Sequence, residues 1–357
     1  MAEARFHDLT VSTVTQEGRD GVCLTLDVPA ALEGDFDFEP GQYLTLRADV
    51  GGADIRRPYS ICSAPGGALQ VGIKRVEDGR FSTYASGLSG GETLQVMPPD
   101  GRFTAPIGGA VRYLLIAAGS GITPMLAIAE AALAGHPEAE VTLVYGNRDT
   151  GAIMFMDRLS DLKDRHLGRF RVVHLLSREA QDVDLFNGRI DPGKLDELAR
   201  AGLIAPAEMD GIFLCGPGTM IDAAELSFGM MGVPAERIHA ERFLPADGQA
   251  PRAVSAEVRD AVAEGVEVET ILDGSRKSFR ISDPEELVLT AAQAAGVELP
   301  YACANGMCCT CRCKVTEGSA EMVVNYSLEP WEEEAGYTLA CQARATSAKL
   351  VLDFDAV

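Results

Sequence analysis

Between residues 1 and 106 the apolar positions come in short alternating runs, such as Tyr43-Leu-Thr-Leu46 and Leu69-Gln-Val-Gly-Ile73, broken by Pro, Gly and Asp. A period of two, closed off by turn residues, predicts a small antiparallel β-barrel or sandwich. From Arg112 the pattern changes to solid apolar runs at Tyr113–Ala117, Val141–Tyr145, Phe170–Leu175 and Gly211–Cys215, separated by helical stretches near 124–134, 153–163, 191–201 and 219–231. Such alternation predicts βαβ units and a parallel sheet. The apolar stretch from Tyr113 to Gly135 is interrupted by Gly119, Ser120, Gly121, Thr123, Pro124 and Glu130, so it reads as a buried strand, a glycine loop and a helix rather than a membrane span. The polar run Pro245–Arg252 has the composition of an interdomain linker. Beyond it, strands at 266–272 and 277–281, a helix near 286–295 and a late strand at 349–354 predict a compact α+β domain. The expected chain is therefore multidomain: an antiparallel β-barrel over 1–107, an α/β parallel-sheet domain over 108–243, a linker over 244–254 and an α+β domain over 255–357.

A length of 357 residues suits two or three domains, each with a core of its own. With 31 Lys and Arg against 53 Asp and Glu, the net charge of −22 repels phosphate backbones and anionic lipid headgroups. Neither nucleic acid nor a membrane is an expected partner. The first ten residues hold no basic n-region and no apolar h-region, which predicts a cytoplasmic protein. In that reducing compartment cysteines serve metals or catalysis more often than disulfides.

The nine cysteines are unevenly spread: Cys23, Cys62 and Cys215 stand apart, while Cys303, Cys308, Cys309, Cys311, Cys313 and Cys341 fall within 39 residues. Four residues separate Cys303 from Cys308, two separate Cys308 from Cys311, and the fourth thiol, Cys341, arrives alone. This is the C-x₄-C-x₂-C…C spacing that holds a [2Fe–2S] cluster. Gly306 and its small neighbours let the loop wrap tightly and aim N–H groups at the sulfurs, which tunes the potential. A zinc site is the competing metal reading, but zinc usually takes paired C-x₂-C knuckles. Cys309 and Cys313 are surplus and read as small buried fillers, with a ligand set using Cys309 as the lesser alternative.

Two further constellations suit redox cofactors. Arg57-Pro58-Tyr59-Ser60 puts a cation, an aromatic face and a hydroxyl within four residues, as a flavin requires: Tyr59 to stack on the ring, Ser60 to hydrogen-bond near its reactive nitrogen and Arg57 to neutralise pyrophosphate. Downstream, the segment from Lys74 through Gly79 and Phe81 to Ser82 and Thr83 supplies a glycine turn and a helix start suited to an anion. Gly119-Ser-Gly121-Ile-Thr123-Pro124 leads from a buried strand into a helix with proline expected at its first position, a junction that offers backbone N–H groups to pyrophosphate. Cys215-Gly216-Pro217, with Met220 beyond it, repeats the strand–glycine–helix pattern at a strand's carboxyl end.

Taken in order, these motifs resemble the ferredoxin–NADP reductase family over residues 1–243, and residues 255–357 resemble a plant-type ferredoxin, including the segment Ala335-Gly-Tyr-Thr-Leu-Ala-Cys341. The resemblance implies an FAD-binding barrel, a nicotinamide domain with Thr123 and Cys215 near the reacting ring, and a β-grasp ferredoxin domain, with Tyr59, Ser60 and Cys215 as the catalytic set. One departure is Asp78-Gly79-Arg80, where the family often has paired glycines. Ser177 and Arg178 lie where NADPH-using members hold the 2′-phosphate, and Arg148 adds a second cation, so NADPH is expected over NADH, with Glu179 nearby as the acid an NAD enzyme would use. Phe243 is expected either near the flavin or in the core. The domain order, together with the segments Lys74–Ser82, Asn187-Gly-Arg-Ile190 and Cys303–Cys313, resembles reductase components of multicomponent monooxygenases, above all the reductases of bacterial phenylacetyl-CoA epoxidases, whose oxygenase is a separate di-iron protein. Relatives with this layout serve steroid and other oxygenases or reduce a hybrid-cluster protein. A non-catalytic zinc-stabilised binding module is the alternative of a different class. The five histidines show no metal or triad spacing, and Trp331–Glu334 reads as a solvated helix face.

Overall fold

The structure is a computed structural model that describes residues 6–243 and 252–356, so most of the linker expected over 244–254 lies outside the described residues. Strands β1 (His7–Glu17), β2 (Gly21–Asp27), β3 (Tyr43–Asp49), β4 (Asp54–Ser60), β5 (Leu69–Lys74) and β6 (Thr93–Val96), with the short helix α1 (Arg80–Ala85), form one antiparallel sheet in the order β4-β3-β6-β1-β2-β5. A bridge between Ile61 and Val71 joins its two edges into a barrel. Leu9, Val11, Leu24, Leu44, Leu46, Val71 and Ile73 fill the interior, because alternation along each strand sends every second side chain inward.

The second sheet is wholly parallel. Strands β7 (Arg112–Ala118), β8 (Glu140–Asn147), β9 (Phe170–Leu176), β10 (Gly211–Gly216) and β11 (Ile238–Arg242) lie in the order β11-β10-β7-β8-β9. Helices α2 (Ile122–Gly135), α3 (Met156–Arg165), α4 (Pro192–Arg200) and α5 (Gly218–Met230) cover it. Coverage on both faces explains why β7 and β10 are apolar along their length rather than alternating. Barrel and parallel sheet belong to one compact unit. A Cβ on Gly72 of β5 would lie 2.6 Å from the Thr123 methyl and 2.8 Å from the Phe155 ring, so only glycine lets the two parts close on each other.

The third sheet belongs to a second unit. After α6 (Ala256–Glu264), strands β12 (Val266–Leu272) and β13 (Ser275–Ile281), helix α7 (Val288–Ala294), strands β14 (Arg312–Glu317) and β15 (Ala320–Met322), helix α8 (Pro330–Glu334), and strands β16 (Tyr337–Leu339), β17 (Ala343–Ala345) and β18 (Lys349–Asp353) follow in turn. The five-stranded order β13-β12-β18-β14-β16, with β12 parallel to the late β18, is the expected β-grasp arrangement. Both oxygens of the Asp355 carboxylate accept from the backbone N–H groups of Asp273 (2.7 Å) and Gly274 (2.8 Å), which pins the hairpin between β12 and β13 to the chain beyond β18.

Local differences from the sequence expectation are informative. A 3₁₀ turn at Gly119–Gly121 starts α2 at Ile122, so Pro124 occupies the third helical position rather than the first. It remains in the first turn, where a missing N–H costs nothing. Strand β11 and helices α6 and α8 are not marked by the apolar pattern. Among the described residues no helix is long and apolar enough to cross a membrane.

Candidate active site and iron–sulfur centre

In an open parallel sheet, ligands bind beyond the carboxyl ends of the strands where the strand order reverses. Here that point lies between β7 and β10, whose ends carry the two glycine loops. The loops press together: a Cβ on Gly121 would lie 2.1 Å from the Cys215 carbonyl oxygen, and one on Gly216 would lie 3.2 Å from the Ala118 Cβ at the end of β7. Thr123 Oγ1 donates to Ser120 O at 2.9 Å, which leaves its methyl against the barrel. The Tyr145 hydroxyl donates to Gly119 O at 2.9 Å and fixes the turn from below. Pro217 precedes α5, and Met220 is buried in that helix's first turn. The Lys74 ammonium sits beside Gly119, held below its ordinary range by burial and then by the Arg148 cation.

At the carboxyl end of β4, Ser60 is buried and its Oγ donates to Glu241 Oε2 at 3.2 Å. Glu241 is the register partner of Cys215 across β10 and β11, so Ser60, Glu241 and Cys215 converge. Burial pushes the Glu241 carboxyl up to about 8, against the downward pull of the Ser60 hydrogen bond. Burial also raises the Cys215 thiol, with the Glu241 charge adding to it. The sequence reading missed Glu241, although Phe243 in the same segment drew attention and packs half-buried against the core. A register argument could have found it. If 238–242 is a strand beside β10, its fourth residue faces the same end as Cys215.

The rest of the flavin set is spread along the barrel rim. The Tyr59 ring lies 5.7 Å from that of Phe81, which is buried at the start of α1. Arg57 is exposed and Pro58 half-buried, and Arg57 Nη1 donates to Arg56 O at 2.7 Å. The Ser82 hydroxyl accepts from Val76 N (3.1 Å) and donates to Gly79 O (3.2 Å), so it folds the turn, while Thr83 is exposed.

At the far end of the crevice, Arg178 N donates to Arg148 O at 2.7 Å and Ser177 N to Asn147 O at 3.0 Å, bringing the ends of β8 and β9 together. Arg148 and Arg178 are both exposed there. Glu179 instead accepts from Thr150 N (2.8 Å) and Thr150 Oγ1 (2.7 Å), and these hydrogen bonds hold its carboxylate below the usual range.

In the third sheet's unit the Cys303 thiol interacts with that of Cys308, and the Cys311 thiol with that of Cys341. Backbone and side-chain donors aim at them. Asn305 N reaches Cys303 Sγ at 3.3 Å, Thr310 Oγ1 reaches Cys308 Sγ at 3.2 Å, and Gln342 Nε2 lies 3.8 Å from Cys341 Sγ. The Cys308 thiol, helped by the backbone N–H groups of Asn305, Met307 and Cys308 and opposed by burial, pulls the Cys303 thiol down to about 6. Gly306 has φ +74, and a Cβ there would lie 3.0 Å from Gln342 Cγ, so the loop closes only with glycine. Cys313 is fully buried, as expected of a filler. Cys309 is only half-buried, at a left-handed φ of 59, and its thiol points to Ser327 Oγ at 3.0 Å.

One expectation fails here. Trp331–Glu334 is not a solvated face throughout, because Glu332 has no exposure and pairs with Arg312 Nε at 2.8 Å. Arg312 in turn lies over the Tyr337 ring, 3.7 Å from its centroid. Carbon-rich surroundings are tolerable for this carboxylate because it also takes the Glu329 N–H of the capping box.

A barrel with a hydroxyl–carboxylate–thiol constellation, a nucleotide crevice and a cysteine loop joined by a fourth, distant cysteine define a flavin- and iron–sulfur-dependent oxidoreductase of pyridine nucleotides. The oxidoreductase FAD-binding domain family matches residues 8–105, the oxidoreductase NAD-binding domain family residues 115–225, and the 2Fe-2S iron-sulfur cluster binding domain family residues 270–346. The chain is 44% identical over 357 residues to one of the subunits of the 1,2-phenylacetyl-CoA epoxidase of Escherichia coli (strain K12), covering 98% of each chain. It is 38% identical to the ferredoxin reductase component of the 3-ketosteroid-9-alpha-monooxygenase of Rhodococcus rhodochrous, covering 97% of this chain and 96% of that one. Phthalate dioxygenase reductase, 23% identical, shares the fold over 98% of both chains with a TM-score of 0.60. The chain belongs to this family of FAD-, NAD- and [2Fe–2S]-binding reductases. Its residues fit all three groups: the paired thiols ringed by N–H donors suit the cluster, the pressed glycine loops suit a dinucleotide, and the hydrogen-bonded Ser60–Glu241 pair at the end of the strand that carries Tyr59 suits a flavin.

Proposed function

We propose that this chain is the cytoplasmic reductase component of a multicomponent monooxygenase, using NADPH and delivering electrons to a di-iron oxygenase of the phenylacetyl-CoA epoxidase kind. The observation that carries the reading is the 44% identity to the Escherichia coli epoxidase chain along 98% of both proteins. A bound flavin would supply the chemistry of accepting hydride from a pyridine nucleotide, and a bound [2Fe–2S] cluster that of carrying electrons one at a time. The chain's own residues then have distinct tasks. Tyr59 and Ser60 position the isoalloxazine, Glu241 holds a proton beside Ser60, and Cys215 and Thr123 shape the floor on which the nicotinamide lies. Arg57 and the Gly79–Thr83 turn meet the flavin's pyrophosphate; Gly119, Gly121, Gly216 and Pro217 line the nucleotide's path. Cys303, Cys308, Cys311 and Cys341 hold the iron. In domain terms the three tasks fall to residues 1–107, 108–243 and 255–357.

The NADPH preference is supported by Arg148 and Arg178 standing together while Glu179 is bonded to Thr150 rather than free to read a ribose. A lost charged hydrogen bond costs about 1.5–3 kcal/mol, so Arg178→Ala should lower kcat/KM for NADPH by roughly 10- to 100-fold and leave NADH nearly unchanged. Equal losses with both nucleotides would refute the phosphate role. The partner is tested by reconstitution: with NADPH and this reductase, a phenylacetyl-CoA oxygenase should consume O₂ and thioester together. A chain inert with that oxygenase but active with a 3-ketosteroid oxygenase would favour the second reading, which the 38% identity to the steroid enzyme's reductase supports.

A further inference from the structure

From Leu299 to Cys311 the cluster loop contains no Asp, Glu, Lys, Arg or His, and the residues it exposes are Ala304 and Asn305. The next stretch is the opposite. From Val315 to Ala343 there are six glutamates and no cation. Within it stands Trp331, the only tryptophan of the chain, 59% exposed and flanked by exposed Glu329, Glu333 and Glu334.

The tryptophan is held outward by construction. Pro330 and the Glu329–Glu332 capping box start α8, and Glu332 turns inward onto Arg312, so the neighbouring residue on the helix faces solvent. The segment before it is bonded to the cluster loop: Ser327 Oγ donates to Gly306 O at 3.1 Å, Cys309 Sγ lies 3.0 Å from Ser327 Oγ, and Tyr326 N donates to Gly306 O at 3.1 Å. Arg312, the partner of Glu332, directly follows Cys311. A large rigid side chain is thus fixed to the same frame as the metal thiolates, and ordering it further on contact costs little entropy.

Resting on the function proposed above, we infer that Trp331 is the anchor by which the reductase docks its oxygenase, seated in an apolar pocket whose rim carries Lys and Arg that meet Glu329, Glu333 and Glu334. Docking there brings the uncharged loop at Ala304–Asn305 against the partner, where electrons leave with no charge to desolvate. A second copy of this chain does not suit the face, because residues 254–357 carry 18 acidic and eight basic side chains and two such surfaces repel. A basic-rimmed protein does.

The test uses the full-length holoprotein and the phenylacetyl-CoA oxygenase. Buried tryptophan anchors are worth about 2 kcal/mol or more, so Trp331→Ala should raise the half-saturating oxygenase concentration by about 30-fold, with ferricyanide reduction and the visible spectrum unchanged. Trp331→Phe should restore most of it, and Leu167→Ala, an exposed apolar change on the nucleotide domain, should do nothing. Because the tryptophan is single, 5-fluorotryptophan labelling gives one ¹⁹F line that should shift on titration with oxygenase. A Trp331→Ala protein that saturates within about twofold of wild type, or a line that moves with the reductase's own concentration, overturns the docking face. A wild-type protein that drives no turnover of that oxygenase overturns the functional reading and this partner with it.

Discussion

Burial leaves Glu241 with a neutral carboxyl at pH 7, since its pKa is pushed up to about 8 from an ordinary 4.5. The Ser60 hydroxyl stabilises the ionised form, so Ser60→Ala should move the group's titration further upward and Glu241→Gln should abolish it. Stopped-flow flavin reduction across pH 6–10 reads both effects; an alkaline inflection that survives in Glu241→Gln would refute the assignment. The same shift has a stability consequence of fixed sign. The folded chain keeps a proton that the unfolded chain has lost, so this residue costs stability increasingly as pH rises from about 4.5 to about 8, and Glu241→Gln should flatten the fall in Tm over that window. Among the cysteines, Ser in place of Cys303, Cys308, Cys311 or Cys341 should remove iron and the reduced protein's paramagnetic signal, whereas Cys309→Ser and Cys313→Ser should keep both. Full cluster loss in either control would overturn the ligand set. The cluster spacing was legible because three ligands from one loop follow a fixed count along the chain and the fourth, Cys341, comes from a later turn. Glu241 was not, because a lone carboxylate carries no spacing signal until the sheet register sets it beside Cys215.

Strands with solid apolar runs, such as β7 and β10, announce themselves because both faces of the parallel sheet are covered. Strand β11 does not. Its sequence Ile-His-Ala-Glu-Arg is neither apolar nor alternating, and it is held by backbone pairing to β10 at the sheet's edge. Helix α8 was read as a helix but with the wrong face: five residues make too short a window for helical periodicity to show which side is buried, and its one buried side chain is a glutamate. Where loops press on each other, an element-level prediction is available. Gly121→Ala would place a methyl 2.1 Å from the Cys215 carbonyl, and because the obstacle is backbone the two loops must part. Overpacking of this kind costs about 1–3 kcal/mol, so the variant should keep its flavin yet lose NADPH affinity by roughly 5- to 150-fold, measured by nucleotide titration of the oxidised protein. Unaltered affinity would mean that the crevice does not lie between these loops.

Over the whole molecule, charge rather than shape distinguishes the iron–sulfur module. It contributes 18 acidic and eight basic residues to a chain of net charge −22. Complementary fields act mainly on association rate, and the Debye length falls from about 10 Å at 0.1 M salt to about 3 Å at 1 M. Electron delivery to the oxygenase should therefore slow as salt rises, while NADPH oxidation by ferricyanide, which reports the flavin step, changes less. Parallel declines in the two rates would rule out steering. The succession of barrel, parallel sheet and mixed sheet was legible from periodicity alone, since each has its own hydrophobic rhythm. That the first two join in one compact unit was not, because it depends on Gly72 lying against Thr123, a contact between residues far apart in the chain.

Strand β18 comes last in order among the described strands, yet it lies in the middle of its sheet, parallel to β12 on one side and antiparallel to β14 on the other. Domains fold in the order in which they are made, at about 5–20 residues per second, so the barrel and the parallel sheet can be complete while the thiolate loop still lacks the strand that closes the domain around it. Closure of the domain around the iron is thereby placed after β18 has been made. A message truncated just before Lys349 should yield a yellow protein that reduces ferricyanide and carries no iron, a half-built reductase that oxidises pyridine nucleotide but cannot pass electrons on through a cluster.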